Sequence, residues 1–344
     1  MVKEAKCIVW DLDNTIWEGT LLESENVSLK PGIKEIIIDL DSKGILHSIA
    51  SKNNYSDAME KLNEFGLSEY FLYPQINWNP KSVSILRIQE KLNIGLDTII
   101  FIDDESFERD EVVSVIPEIE CIDAIELKKL LTLARLTPRF FTTDTQRRRV
   151  MYLEDQERDN DEKSFWGTRE EFLGSLNMVL TISTATKEDL ERALELTLRT
   201  NQLNSTGIIY SFDELLAYLN SDDHVILICE LTDKYGSYGK IGLSLNQITE
   251  DSIHIKLLLM SCRVLSRGLG TVLLSNIMQQ AKRNNLKLYA DFKQTGKNKL
   301  MYMTYKFENF KEVSNDGENI ILENDLSIVK SGPKFMTINT KWEI

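Results

Sequence analysis

The chain of 344 residues has little cysteine and little histidine. Its four cysteines, Cys7, Cys121, Cys229 and Cys262, are widely spaced and form no CxxC pair. That speaks against a zinc site and a disulfide framework, and fits free thiols in a reducing cytoplasm. Three isolated histidines speak equally against a histidine-rich metal centre. No apolar run approaches the roughly 18 residues of a membrane span. The opening MVKEAKCIVW lacks the shape of a secretory signal. A cytoplasmic protein with no membrane role is therefore expected. Basic residues are in deficit too: 54 acids against 40 bases leave −14. Such a chain repels polyanions at long range, which argues against a general nucleic-acid binder. There is no internal repeat and no low-complexity tract, and the length suggests roughly two domains.

What is present begins with short apolar runs alternating with helical stretches. Lys6–Trp10, Leu46–Ala50, Thr98–Ile102 and Glu120–Ile122 read as strands. Residues 34–43, 56–65 and 81–92 read as helices between them. Continuous apolar strands separated by helices predict a parallel sheet covered on both faces, an α/β arrangement. Ligands of such sheets sit beyond the carboxyl ends of the strands. From about Pro138 to Gly174 the pattern breaks down, with eight acids against three bases between Glu154 and Glu171. This reads as a helical or irregular linker. A second domain follows, with strands expected near 178–182, 225–231, 241–245, 253–260 and 286–290. Its helices are expected near 187–200, 211–219 and 268–283.

The strongest chemical signal is Asp11-Leu-Asp13-Asn-Thr15, directly after the first strand. Carboxylates at i and i+2 can face one crevice. One could hold a hard divalent cation and attack phosphorus, while the other donates a proton to the leaving oxygen. Alone the pair could be a solvated turn. Ser51-Lys52-Asn53 follows the second strand, Asp103-Asp104 follows the third, and Lys81 opens a helix. Ser51 alone could be a helix N-cap, and Lys81 a solvated helix start. Together, in this order, they describe a magnesium–phosphate site in which metal and lysine neutralise phosphoryl oxygens.

VWDLDNT, ASKNN, Lys81 and FIDD resemble the four motifs of the haloacid dehalogenase (HAD) superfamily. The resemblance implies Asp11 as nucleophile and Asp13 as general acid and base. It places Ser51, Lys52, Asn53 and Lys81 on phosphate, and Asp11, Asp13, Asp103 and Asp104 about Mg²⁺. WDLDNTIWEG, NWNPKS, LNIGLDTIIFIDDESFER, RTNQLNST, SCRVLSRG and TGKNKLMYMTYKFENF further resemble the FkbH-like family, over nearly the whole chain. That family joins a HAD domain to a domain resembling the GNAT acyltransferases. The implied fold is a HAD-type Rossmann-like parallel sheet over residues 1–135, a charged linker over 136–175 and a GNAT-like α+β domain over 176–344. The implied activity is removal of phosphate from 1,3-bisphosphoglycerate, a phosphorylated three-carbon substrate. The glyceryl unit is loaded onto the phosphopantetheine thiol of an acyl carrier protein, in polyketide or related biosynthesis. Nothing in spacing or composition itself points to glycerate.

About eighteen residues separate Thr15 from the helix near Lys34, too few for a cap domain. An open site is expected. In the second domain, Arg263-Val-Leu-Ser-Arg267-Gly268-Leu-Gly270 opens a helix after a strand. Its glycines and N–H groups suit the phosphate of a pantetheine arm. Leu265 stands where GNAT enzymes carry Gln or Arg, which speaks against free acetyl-CoA. The resemblance places Asn298 and Tyr305 near the thioester sulfur. Arg199-Thr-Asn201 could bind substrate carboxylate or hydroxyls, or could simply end a helix. Cys7, Cys121 and Cys229 lie in apolar strands and read as inert. Cys262 adjoins Arg263 and a helix start, which favours thiolate. It reads as a candidate acyl acceptor, with a structural thiol as the alternative. Relatives carry Cys where this chain has Ala50, so the acyl unit would use Cys262 or go directly to the carrier. Two rival readings are a plain phosphatase on a non-catalytic GNAT-like scaffold, and a non-enzymatic docking module for a carrier protein.

Overall fold

The computed structural model describes residues 3–24 and 26–344; the side chains at positions 128, 129, 262, 265 and 266 lie outside that description. The chain divides into two compact units, Met1–Asp155 and Gln156–Ile344.

The first unit is built on β1 (Cys7–Trp10), every residue of which is buried. A small hairpin follows, β2 (Trp17–Glu18) against β3 (Ser28–Leu29), and occupies the short interval before α1 (Ile33–Ser42). Then come β4 (Leu46–Ser51), α2 (Tyr55–Glu64), β5 (Gln75–Ile76), α3 (Lys81–Leu92), β6 (Ile99–Asp103), α4 (Ser106–Val115) and β7 (Glu120–Asp123). The five sheet strands run in the order β5-β4-β1-β6-β7, all parallel. Side chains alternate across a strand. Ile8 and Trp10 therefore enter the core under α1 and α2, with Ile33, Ile37, Ala58 and Leu62. Cys7 and Val9 enter the opposite core, under α3 and α4, with Ile85, Ile88 and Val112. Both faces are covered, which is why β1, β4 and β6 read as unbroken apolar runs. Because β1 lies between β4 and β6, their ends bring Asp11, Ser51 and Asp103 to one edge. The unit closes with short helices α5 (Leu127–Leu130) and α6 (Thr143–Gln146) and with α7 (Arg148–Ser164), which runs past the unit boundary. Within this unit Arg149 Nε pairs with Asp41 Oδ1 at 3.0 Å.

The second unit carries α8 (Arg169–Ser175), β8 (Met178–Thr184), α9 (Leu190–Arg199), α10 (Phe212–Leu219), β9 (His224–Asp233), β10 (Gly236–Ile248) and β11 (Ser252–Met260). It continues with α11 (Leu269–Arg283), β12 (Lys287–Lys293), α12 (Lys299–Phe307), β13 (Lys311–Asn315), β14 (Asn319–Asn324) and β15 (Met336–Lys341). Eight strands form one sheet in the order β13-β14-β12-β11-β10-β9-β8-β15. Neighbours are antiparallel except β11 with β12 and β8 with β15. Leu190, Leu196 and Leu215 cover one face, against Ile226, Leu243 and Leu257. Leu273, Ile277, Met301 and Tyr305 cover the other, against Ile253, Ala290 and Phe292. The stretch 136–175, expected as a linker, is largely helical and is divided between the units. Arg158, 1% exposed, forms a two-pronged ion pair with Asp233 at 2.7 and 2.9 Å, within the second unit.

The fold is thus the expected α/β parallel sheet followed by an α+β unit. No helix among the described residues is long and apolar enough to cross a membrane.

Candidate active site

Asp11 follows β1 and is 7% exposed. Lys81, at the first position of α3, is 3% exposed and pairs with one oxygen of Asp11. Its ammonium also lies 3.2 Å from Asp103 Oδ2 and donates to the Ala50 carbonyl at 2.9 Å. Lys81 is therefore a buried cation rather than a solvated helix start. Oxygens of Asp11, Asp103 and Asp104 lie within 4.8 Å of one another, a group able to hold a metal ion. Three carboxylates converging on one point suit a hard divalent cation with oxygen ligands.

The electrostatics of the site follow from burial. Desolvation pushes Asp11 above the usual carboxylate range, opposed by Lys81, by the Ser51 hydroxyl and by the Leu12 amide. Burial and the neighbouring Asp11 carry Asp103 up to about 6, with Lys81 opposing. Asp104 is raised by burial and by Asp103. Burial works against the charge on Lys81, but Asp11 and Asp103 outweigh it and hold its ammonium above the ordinary value. Two acids sharing one buried ammonium, with a third acid beside them, is an arrangement in which a further cation is favoured.

Asp103 is fixed from behind: its Oδ1 accepts from the Glu105 amide at 2.8 Å. Arg109 donates to its carbonyl at 2.7 Å while pairing with Asp123 at the end of β7. Ser51 ends β4, is 3% exposed and stands beside Asp11. The N-cap of α2 is Asn54, whose side chain accepts from the Ser56 and Asp57 amides. Ser51 is thus not spent on capping that helix. Ala50 leaves no thiol at its position, and its carbonyl serves Lys81.

Two sequence expectations land elsewhere. Lys52 pairs with Glu108 at 2.5 Å, so its charge is met by a carboxylate of this chain. Asn53, 2% exposed, donates from Nδ2 to Asp13 Oδ2 at 3.0 Å and so orients Asp13. Asp13's carboxylate is not in the cation-holding group; its other oxygen accepts from the Trp17 indole at 2.7 Å and the Leu21 amide at 3.1 Å. Trp17 was not foreseen as a site residue. Its signal was a tryptophan four residues beyond the second acid.

In the second unit, β11 and β12 pair only through Ser252–Ile255 with Lys287–Ala290. Beyond that point the chain's own segment 203–205 fills the gap. The Ser205 amide donates to the Leu258 carbonyl and the Lys293 amide to the Ser205 carbonyl, both at 2.9 Å. The Met260 amide donates to the Leu203 carbonyl at 2.9 Å, and the Leu258 amide to Ser205 Oγ at 3.0 Å. Asn298, 1% exposed, locks this arrangement by donating to the carbonyls of Lys293 at 2.8 Å and Asn204 at 2.9 Å. Its oxygen accepts from the Thr295 amide at 3.0 Å. Tyr305 is fully buried against Phe310, and its hydroxyl faces the Ser205 side chain. Asn298 and Tyr305 therefore sit together at the parting strands, but the Asn298 amide is spent on backbone.

The loop before α11 is arranged otherwise. Gly268 adopts φ +69° with open space around it, and Gly270 sits in the first turn of the helix. Arg267 is 7% exposed, yet its Nη1 has no hydrogen-bond partner among the described residues. Arg263 donates to the Tyr238 carbonyl at 3.0 Å. A buried guanidinium nitrogen left unmatched beside a helix N-terminus suits an anion. The Cys262 side chain lies outside the described residues. Arg199 pairs with Glu195 at 3.0 Å, and Asn201 is exposed. Among the described cysteines all three are free. Burial pushes the Cys7 and Cys229 thiols far up and Cys121 to about 11, which makes them inert at neutral pH.

Comparison with known proteins bears on this site. Residues 14–112 match the family of haloacid dehalogenase-like hydrolases. The human magnesium-dependent phosphatase 1 is 29% identical over 124 residues, which cover 30% of this chain and 70% of that protein. The N-terminal part of a Bacteroides fragilis protein, containing a phosphatase domain and complexed with Mg, is 32% identical. The match covers 38% of this chain and 40% of that one, with a TM-score of 0.35. The ribosomal-protein-alanine N-acetyltransferase of Escherichia coli is 18% identical over 45% of this chain and 97% of its own, also with a TM-score of 0.35. The first unit carries a haloacid dehalogenase-like hydrolase domain.

Proposed function

We propose that this protein is a magnesium-dependent phosphatase acting on phosphorylated three-carbon acids, and that it delivers a glyceryl unit from 1,3-bisphosphoglycerate to an acyl carrier protein. The observation that carries the phosphatase reading is Asp11 held against Lys81, within 4.8 Å of Asp103 and Asp104. Asp11, Asp103 and Asp104 would hold the magnesium, which neutralises phosphoryl oxygens when bound. A carboxylate oxygen of Asp11 attacks phosphorus, and the bond from phosphorus to the leaving oxygen breaks. Asp13 gives its proton to that oxygen. Water then attacks the aspartyl-phosphate, Asp13 takes a proton back, and inorganic phosphate leaves with Asp11 regenerated. Lys81 and Ser51 hold the phosphoryl oxygens throughout.

The transfer balances as follows. The carrier thiol displaces phosphate from the acyl phosphate end of the donor, forming the thioester. The phosphomonoester at the far end of the three-carbon unit is then hydrolysed at Asp11. The buried Arg267 beside the α11 N-terminus, its Nη1 without a partner among the described residues, supports a site for the phosphate of the carrier's pantetheine arm. The short interval between β1 and α1, which holds only the small β2–β3 hairpin among its described residues, is too short for a cap domain, and that suits a carrier-bound substrate. A second reading has a specific observation in its favour. Segment 203–205 and Asn298 close the gap in the second sheet, which supports a phosphatase on a non-catalytic scaffold.

Intact-mass measurement of a holo carrier protein separates the two. It is incubated with the protein, Mg²⁺ and 1,3-bisphosphoglycerate, with Asp11→Asn as control. A glyceryl adduct is expected, replaced by phosphoglyceryl or nothing with Asp11→Asn. Steady phosphate release with no adduct would leave the scaffold reading, and no phosphate release would end both.

A further inference from the structure

The phosphatase reading gives Asp13 the proton transfer, and three hydrogen bonds hold that side chain. Asp13 Oδ1 accepts from Trp17 Nε1 at 2.7 Å and from the Leu21 amide at 3.1 Å. Asp13 Oδ2 accepts from Asn53 Nδ2 at 3.0 Å. Both oxygens are thereby fixed, and with them the plane of the carboxylate. Two of the three donors come from the short interval between β1 and α1. The Leu21 amide belongs to the backbone and Asn53 to another strand end, so Trp17 is the side chain of this interval that holds Asp13.

Trp17 is itself rigid. It is fully buried, pairs with Leu29 in the hairpin, and its ring centroid lies 6.2 Å from that of Phe65. Its own amide donates to the Leu12 carbonyl at 3.3 Å. A buried indole needs an acceptor for its N–H, and any nearby oxygen would satisfy that need. Here the acceptor is Asp13, whose carboxylate stands outside the cation-holding group. We infer that Trp17 is a positioning residue for proton transfer: its indole N–H sets the orientation in which Asp13 meets the leaving oxygen, and so fits the site to phosphomonoesters of alcohols. An alkoxide leaves only with a proton, whereas the carboxylate released from an acyl phosphate needs none. This inference rests on the phosphatase reading.

The test compares leaving groups. Wild type and Trp17→Phe, each in excess and with Mg²⁺, consume glycerol 2-phosphate or acetyl phosphate in a single turnover, and the first-step rate is read by rapid quench. A positioned general acid contributes about 10²- to 10⁴-fold. Loss of one of three orienting donors should slow the alkyl substrate about tenfold or more, with acetyl phosphate slowed less than about threefold. Phe65→Leu disturbs the same packing while keeping the N–H, and should leave the ratio of the two rates at the wild-type value. Benzothienylalanine at position 17 keeps the ring and lacks only the donor; it stands in if Trp17→Phe does not fold. Equal slowing of both substrates, or none, would overturn the positioning role while leaving the phosphatase intact. Wild type that consumes neither substrate would overturn the phosphatase reading and this inference with it.

Discussion

Replacing Lys81 by Met tests the electrostatic account of the site most directly. The substitution keeps the length of the side chain and removes the buried cation that stands between Asp11 and Asp103. Breaking a buried ion pair by deleting one partner costs about 3–5 kcal/mol, because the remaining charge is stranded. For a unit of 150 to 250 residues that corresponds to a fall of roughly 10 °C in its melting temperature. Burial and Asp11 already push Asp103 up to about 6 with Lys81 in place, and losing Lys81 moves it and Asp11 higher still. A carboxyl whose folded pKa is raised contributes stability at low pH and loses it as pH rises through that value. The deficit of the variant should therefore be small near pH 5 and full at pH 8. Magnesium supplies the missing positive charge. At a hundredfold excess over its dissociation constant it stabilises by about 2.7 kcal/mol. It meets no competing ammonium in the variant, so the magnesium-induced shift should exceed that of wild type. Thermal melts by circular dichroism, in EDTA and in magnesium at the two pH values, measure all of this. A variant as stable as wild type in EDTA at pH 8, or one with a smaller magnesium shift, would refute the reasoning.

Two further outcomes are expected. His47 is fully buried, and desolvation lowers its pKa from 6.5 to about 3, consistent with its Nδ1 accepting from the Trp10 indole at 3.0 Å. A base with a depressed folded pKa stabilises above its unfolded value and loses that stability as pH falls from 6.5 toward 3. His47→Gln keeps an acceptor but cannot protonate, so its acid-unfolding limb should be shallower by on the order of 4 kcal/mol over that window; superimposable acid titrations would contradict this. In the second unit, Asn298→Ala strips donors from the Asn204 and Lys293 carbonyls. It should cost about 1–3 kcal/mol and speed hydrogen exchange at the Leu258 and Met260 amides about tenfold or more, as the segment 203–205 loosens. Unchanged protection of those amides would show that Asn298 does not hold the gap closed.

Much of this was legible in the chain because parallel strands buried on both faces leave unbroken apolar runs. CIVW and TIIFI announce β1 and β6, and the residues just past them announce the edge where Asp11, Asp103 and Asp104 meet. What was not legible depends on contacts distant in sequence. Lys52 looks like a phosphate ligand by its place after β4; only the fold brings Glu108, 56 positions on, within reach. Ser51 and Asn54 are equally plausible caps by type, and backbone geometry gives the cap to Asn54. The helix α4 went unread because SFERDEVVSV carries little apolar periodicity. The fully exposed strand β13 carries no burial pattern at all. Asn298 shows the same limit in the second unit. Its neighbours in sequence say nothing of segment 203–205, nearly a hundred residues earlier, to which it is tied.

The pairing of Lys81 with Asp11 carries one more consequence for the order of events at the site. An oxygen that accepts an ammonium N–H is a poorer nucleophile than one left free, and Lys81 cannot hold both Asp11 and an incoming phosphate at full strength. A phosphate dianion brings more charge than a single carboxylate and three oxygens to share, so it competes well for the ammonium. On the phosphatase reading, its arrival turns Lys81 from partner of the nucleophile into partner of the substrate, and Asp11 is unmasked only then. Asp103, 3.2 Å from the same ammonium, keeps Lys81 charged and in place through that exchange. On the same reading, the lysine that pairs with the nucleophile also supplies the first contact of the substrate.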